Sequence, residues 1–383
     1  MENTVKPKKS LINTGRQVEL DYAKALAIVF MIFVHCFEAC KNLVNAYSGV
    51  GDYVRWIVCC LGCAPAAPMF MLIMGIGIVY ARRSTPAKLL KRAGMIFGIG
   101  LFVNVFSEWL YSIYCLEPSE SFADYLPTIL ATDIYSFVAL MMLVFTLIKA
   151  TKHECLTAGA IMAVCLVLNE LTYPNSFTTG NDWLDMIAGM FVRVNEYSYF
   201  PFVTWAFWPL LGFLLGNILI RAKSRTKFYT WVLVSGIAAL AVGGYFLYVN
   251  PGDIVNGVAG FRVPDDGAYY AMNTPNILWA YGIVAVELFI LHIVAKLAKD
   301  RIPGLMKYMS LAIMPIYVIQ WIIISAIVPL ELMVSDIYVS LALCAAVTVA
   351  TVALAWLLGK LTAKKKNEEK PVDPADASAK PIE

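Results

Sequence analysis

The chain has 383 residues, 60% of them apolar and 15% charged, with a formal net charge of +3 and a mean hydropathy of +0.69. A soluble protein of this size carries more charge to cover its surface, so the composition excludes a soluble globular domain. It predicts an all-α, polytopic integral membrane protein of the cell membrane, with the lipid bilayer as its first partner and no nucleic acid among the others.

The chain opens on MENTVKPKKSLINTGRQ (residues 1–17), a polar and basic stretch within an expected cytoplasmic N-terminal segment over 1–19. The apolar run behind it is too long for the core of a signal peptide, so no cleavable signal is expected and the run reads as a first membrane helix. About 20 apolar residues cross a bilayer. Ten segments qualify: 20–40, 54–81, 89–113, 133–149, 155–171, 200–221, 228–249, 275–297, 309–328 and 336–360. With the N-terminus in the cytoplasm, 25 of the 30 Lys and Arg fall in cytoplasmic segments. That alternation predicts ten crossings with both termini cytoplasmic, one transmembrane domain over 20–362, and a disordered, basic and polar tail over 363–383.

Residues 172–199 carry Trp183, Leu184, Met186, Ile187, Met190 and Phe191 at a spacing that suits a short amphipathic helix on the outer surface. Residues 250–274, rich in Gly, Pro, Asp and Asn, form a second long outer loop, suited to a polar acceptor or to plain connection. Of nine cysteines, most lie in apolar runs. The Cys60–Cys63 pair has no second pair or nearby His to complete a zinc set, so no metal is expected and the cysteines read as small buried residues. No internal repeat is evident, which weakens a transporter reading.

The first helix carries the main candidates, in DYAKALAIVFMIFVHC (21–36). Asp21 and Lys24 are three apart, close enough to pair in the first turn; Lys24 can also snorkel toward headgroups. His35 lies eleven residues beyond Lys24, within roughly 20° of the same face and about 16 Å along the axis. Ionisable groups inside a membrane are functional candidates. His35 suits a general base, with Glu38 one turn on to orient its ring, or else a hydrogen-bonded packing residue. Glu287 is a mid-membrane carboxylate; with Asp21, Lys24 and His35 it forms the relay of the alternative reading, a proton-coupled transporter or exporter.

The spacing Asp21-x-x-Lys24 followed by His35 resembles the first-helix signature of the acyltransferase-three family. The block APMFMLIMGIGIVYARRSTPAKLLKRAGMIFGIGLFVN (67–104) is similar to the heparan-alpha-glucosaminide N-acetyltransferase catalytic family, through Pro68, Phe70, Gly75, Gly77, Arg82, Arg83, the KLLKR run and Asn104. DIYSFVAL (133–140), which begins with Asp133, and YFPFVTWAFWPLLGFLLGNIL (199–219), with Pro201, Trp205, Gly212 and Gly216, fit the same relatives. Both families belong to one transmembrane acyltransferase superfamily, and the likeness covers residues 16–220. Lys24 stands where the signature usually has arginine, Ala25 where a glycine often follows it.

The resemblance implies an acetyl (or other short acyl) transferase that draws on cytosolic acetyl-CoA and serves an extracytoplasmic hydroxyl or amine, a glycan above all. On that reading Arg82, Arg83, Lys88, Lys91 and Arg92 hold the donor's phosphates. His35 is then the catalytic base, with Lys24 and Asp21 at the cytoplasmic entrance. Asn104, Gln320 and Trp205 are candidate oxyanion or substrate donors, with Asp133 among the substrate contacts. The Gly75-x-Gly77 pair either permits close helix packing or leaves room for a narrow channel. Nothing in the sequence sets the oligomeric state.

Overall fold

Hydrocarbon offers no hydrogen bonds, so a spanning segment must close its own backbone, which the α-helix does. The computed structural model describes residues 11–39, 50–62, 64–81, 85–115, 126–131, 133–172, 179–192, 198–249, 272–327 and 336–368. Among them are fifteen helices and no strand element. In chain order they are α1 (Val18–Ala39), α2 (Val50–Gly62), α3 (Ala67–Tyr80), α4 (Pro86–Cys115), α5 (Leu126–Ile129), α6 (Ile134–Ala150), α7 (Glu154–Thr172) and α8 (Asp182–Phe191). They continue as α9 (Phe202–Trp205), α10 (Phe207–Leu219), α11 (Arg225–Val249), α12 (Thr274–Leu297), α13 (Gly304–Leu311), α14 (Ile313–Ile327) and α15 (Ile337–Glu368).

Among the described residues, eight stretches are long and apolar enough to cross a membrane, counting Tyr53–Tyr80 as one; the pair α13 and α14 makes a ninth if taken as a single broken span. The chain is therefore a multi-pass membrane protein. Each of the ten expected crossings falls on helix, but four differ from a plain rod, the sixth being divided into α9 and α10 at Ala206. The second is divided into α2 and α3 around Pro65. The fourth, α6, has 17 residues, about 25 Å, short of the ~30 Å hydrocarbon core. The ninth bends by 82° at Ala312. There Pro315 has no N–H for the Leu311 carbonyl and its ring crowds that oxygen. At the C-terminal end α15 runs on to Glu368, into the stretch read from sequence as tail; residues 369–383 lie outside the described residues.

Local signals account for several helix starts. Asp133 caps α6, its carboxylate accepting from Ser136 N at 2.9 Å. Asn181 caps α8 and Asn273 caps α12 in the same way. Pro68 and Pro275 stand in first turns, where a missing N–H costs nothing. The expected amphipathic helix forms as α8, with Asp185, Met186 and Gly189 buried and Trp183, Leu184, Ile187 and Phe191 exposed.

α1 is central to the bundle: it packs against α2, α3, α12, α13, α14 and α15. Extensive pairings also join α3 to α10, α4 to α6, and α11 to α12. Small residues make two of these possible. A Cβ on Gly75 would lie 1.9 Å from the Pro209 carbonyl oxygen, and one on Gly236 would lie 2.3 Å from Ala285 Cβ. Ahead of α1, the backbone N–H groups of Ile12 and Asn13 donate to Ile220 O at 3.0 and 3.1 Å. The Asn13 amide donates to Leu219 O at 3.0 Å and to Ala222 O. The segment thereby caps the carbonyls left open at the end of α10.

Candidate functional site

His35 lies partly exposed on α1, facing α14. The bend at Ala312 sends α14 along a new direction, and Tyr317, Gln320 and Trp321, at positions i, i+3 and i+4, share one of its faces. The fully buried Gln320 places its amide Nε2 2.5 Å from His35 Nδ1. The Trp321 ring lies 4.8 Å from the imidazole at 36°, and Tyr317 meets it edge-on at 6.4 Å. Tyr135, two residues past the Asp133 cap, packs edge-on against Tyr317 at 5.1 Å. α1, α14 and the start of α6 thus converge on one imidazole.

At the start of α1 the buried Asp21 carboxylate accepts a hydrogen bond from Arg16 Nε and lies 3.6 Å from Lys24 Nζ. The Arg16 guanidinium also reaches Ser310 Oγ at 3.5 Å. A cavity of about 380 Å³ opens beside them, lined by Thr14 to Gln17, Leu20, Asp21 and Lys24 on one side and by Ile73, Ile76, Gly77 and Tyr80 of α3 on the other. Two cations share one carboxylate, so the wall is net positive and suits an anion. The two glycines of the Gly75-x-Gly77 pair divide the roles offered to them. Gly75 is packed against α10, whereas a Cβ on Gly77 would meet nothing within 4 Å. Gly77 lines the cavity.

The cavity does not reach His35, which is absent from its lining. Ile28 and Ile32, on the stripe between Lys24 and His35, are fully buried, as is Leu72 on α3. The two ends of the stripe are separated by packed apolar side chains, and a continuous path is not open between them.

The remaining candidates are dispersed. Lys88, Lys91 and Arg92 are exposed on the first turns of α4 and do not line the cavity; Arg82 and Arg83 lie outside the described residues. Asn104 donates to the Ile129 carbonyl at 3.1 Å, holding α5 onto α4. Trp205 is fully buried, edge-on to Phe200 at 4.8 Å. Asp133 serves as the α6 cap. Glu38 is exposed one turn beyond His35, and the partner at His35 Nδ1 is Gln320 rather than Glu38. Glu287, on α12, has a buried Oε2 with no hydrogen-bond partner; the polar contacts of Asp21, Lys24 and His35 are with other groups. Cys63 lies outside the described residues, so the Cys60–Cys63 spacing has no structural counterpart here.

Sequence reasoning passed over two features. Arg16 was legible only as one more cation before the helix. Glu19 is fully buried, with Arg225 Nη1 at 3.4 Å and His292 Nδ1 at 3.8 Å. Arg225 also pairs with Asp300 at 2.6 Å, His292 Nε2 lies 3.1 Å from Thr226 Oγ1, and Tyr229 stacks on the imidazole at 4.6 Å. This network ties α1 to α11 and α12 two residues ahead of Asp21. An acid at the second residue of an otherwise unremarkable helix start gave no sign of it.

Against known families, residues 16–248 match the model described as heparan-alpha-glucosaminide N-acetyltransferase, catalytic. A comparison with curated proteins gave no match. The match takes in α1 to α10 and nearly all of α11, and it stops short of α14, which supplies the partners of His35.

Proposed function

The chain belongs to the heparan-alpha-glucosaminide N-acetyltransferase catalytic family, and from that premise we propose that it moves an acetyl group from cytosolic acetyl-CoA to a hydroxyl or amine on the far side of the membrane, a glycan being the acceptor class. Membership makes it a multi-pass membrane acetyltransferase; the donor, the acceptor and the residue roles are the proposal. The observation that carries it is the layout of α1. A cationic cavity lies at one end, and a histidine held by a buried amide lies eleven residues further on.

Arg16 and Lys24 are the cations within reach of an anionic donor, and Asp21 holds both side chains toward the cavity. Gly77 leaves room where any other residue would intrude. The donor supplies an activated thioester. His35 accepts the proton of the acceptor hydroxyl or amine as that atom attacks the thioester carbonyl, and as the carbon–sulfur bond breaks the leaving thiolate takes that proton back from the imidazolium and departs as the thiol. The Trp321 and Tyr317 rings flank the imidazole. Because Ile28, Ile32 and Leu72 close the stripe between cavity and His35, α1 and α3 separate there for the reacting groups to meet.

The test is acetyl-CoA turnover by the purified full chain, with labelled cell-surface glycans as the cellular readout. His35→Gln is expected to lose about 100-fold or more in kcat. Full activity in that variant overturns the assignment. Uptake of a solute driven by pH without acetyl-CoA would favour a transporter instead.

A further inference from the structure

We propose that Gln320 is a positioning residue that engages His35 Nδ1 and thereby decides the tautomer in which the imidazole works. The inference rests on the reading of His35 as proton acceptor and gives Gln320 a role other than contact with substrate.

Three observations carry it. First, the contact is made by groups with fixed chemistry. An amide nitrogen has only hydrogens to give, so with Nε2 2.5 Å from Nδ1 the imidazole accepts at Nδ1 and keeps its proton on Nε2. Second, the other atom of the same amide, Gln320 Oε1, is buried without a partner. A half-turn of the amide exchanges the two atoms. Oε1 then accepts from Nδ1–H, and the lone pair of His35 Nε2 is free to take a proton. Third, the ring is fixed in place, with Trp321 at 4.8 Å on one side and the edge of Tyr317 at 6.4 Å on another.

Each amide orientation is therefore coupled to one tautomer. With the nitrogen presented, Nε2 carries the proton and the imidazole is at rest. With the oxygen presented, Nε2 is the base. Once it has taken the acceptor's proton, both ring nitrogens carry hydrogen, and Oε1 still receives the one on Nδ1. A carboxylate at position 320 would satisfy only the second and third arrangements, because it has no hydrogen to give. An amide satisfies all three without adding a charge inside the bundle.

The chain has three histidines, so ¹⁵N-histidine NMR of the full protein in lipid nanodiscs can follow His35 directly. His35→Gln assigns its signals. The wild type is expected to show one dominant neutral tautomer. Gln320→Leu is expected to move the His35 nitrogens to values averaged over both tautomers, with His153 and His292 unmoved, and to lower kcat about tenfold or more with a smaller change in KM for acetyl-CoA. Gln320→Glu keeps the shape of the side chain and is expected to leave only the Nδ1-protonated form; it decides the matter should the leucine variant aggregate. Unchanged His35 shifts in Gln320→Leu, or in Gln320→Glu if that variant alone folds, overturn the positioning role while His35→Gln stays inactive. Full activity in His35→Gln overturns the catalytic reading, and the positioning role falls with it.

Discussion

Gly75 of α3 and Gly212 of α10 meet at one helix crossing, where each backbone occupies the space a side chain on the other would need. A Cβ on Gly75 would lie 1.9 Å from Pro209 O, and a Cβ on Gly212 would lie 1.9 Å from Leu72 O. Both obstacles are backbone, which cannot swing aside. Gly75→Ala or Gly212→Ala is therefore expected to lower the yield of folded protein sharply, read as monodisperse material in detergent. Gly77→Ala has open space and is expected to keep the wild-type thermal midpoint while raising KM for acetyl-CoA. Equal folding defects at Gly75 and Gly77 would contradict the division of roles.

Arg225→Gln removes the cation that pairs with the buried Glu19 carboxylate and leaves it only His292 at 3.8 Å. Breaking one side of a buried ion pair costs about 3–5 kcal/mol, so a large fall in the thermal midpoint is expected. Adding Glu19→Gln removes the charge left behind and should recover part of the loss, since neighbouring substitutions are not additive. A double variant as unstable as the sum of the singles argues against direct coupling.

Lys24→Met and Arg16→Met remove cations from the cavity wall. A charge-assisted hydrogen bond contributes about 1.5–3 kcal/mol, so KM for acetyl-CoA is expected to rise about tenfold or more in each, with kcat less affected. Lys88→Met and Lys91→Met, exposed and away from the cavity, serve as controls with changes within about twofold. If the α4 variants raise KM and the α1 variants do not, the donor's charged end lies elsewhere.

Asn104→Ala loses one hydrogen bond to the Ile129 carbonyl and leaves that acceptor open. The expected loss is about 1 kcal/mol of stability, with turnover retained to within about threefold. A loss of 100-fold in kcat with unchanged stability would instead place Asn104 at the reacting atoms.

That the expected crossings are apolar helices could be read from the chain because the requirement is local: a segment in hydrocarbon must be apolar and helical whatever surrounds it; against the ten expected, eight of the described stretches, or nine with the bent pair, are long and apolar enough to span. The pairing of Asp21 with Lys24 was legible for the same reason, since three residues on a helix are neighbours by construction. Helix starts at Asp133, Asn181 and Asn273 likewise follow from side chains a few positions from the groups they cap.

Tertiary structure alone decided which face of each helix meets which neighbour. Helices that are apolar all round carry little periodic signal, so the sequence could not say that Gly75 faces α10 and Gly77 a cavity. Nor could it say that Lys88 and Lys91 stand apart while Arg16 lines the wall. His35 and Gln320 are 285 positions apart, and Glu19 and Arg225 are 206 apart. These pairs exist because the 82° bend between α13 and α14 and the crossings around α1 bring distant segments together, and contacts of that kind are written in the packing of the bundle rather than in any spacing along the chain.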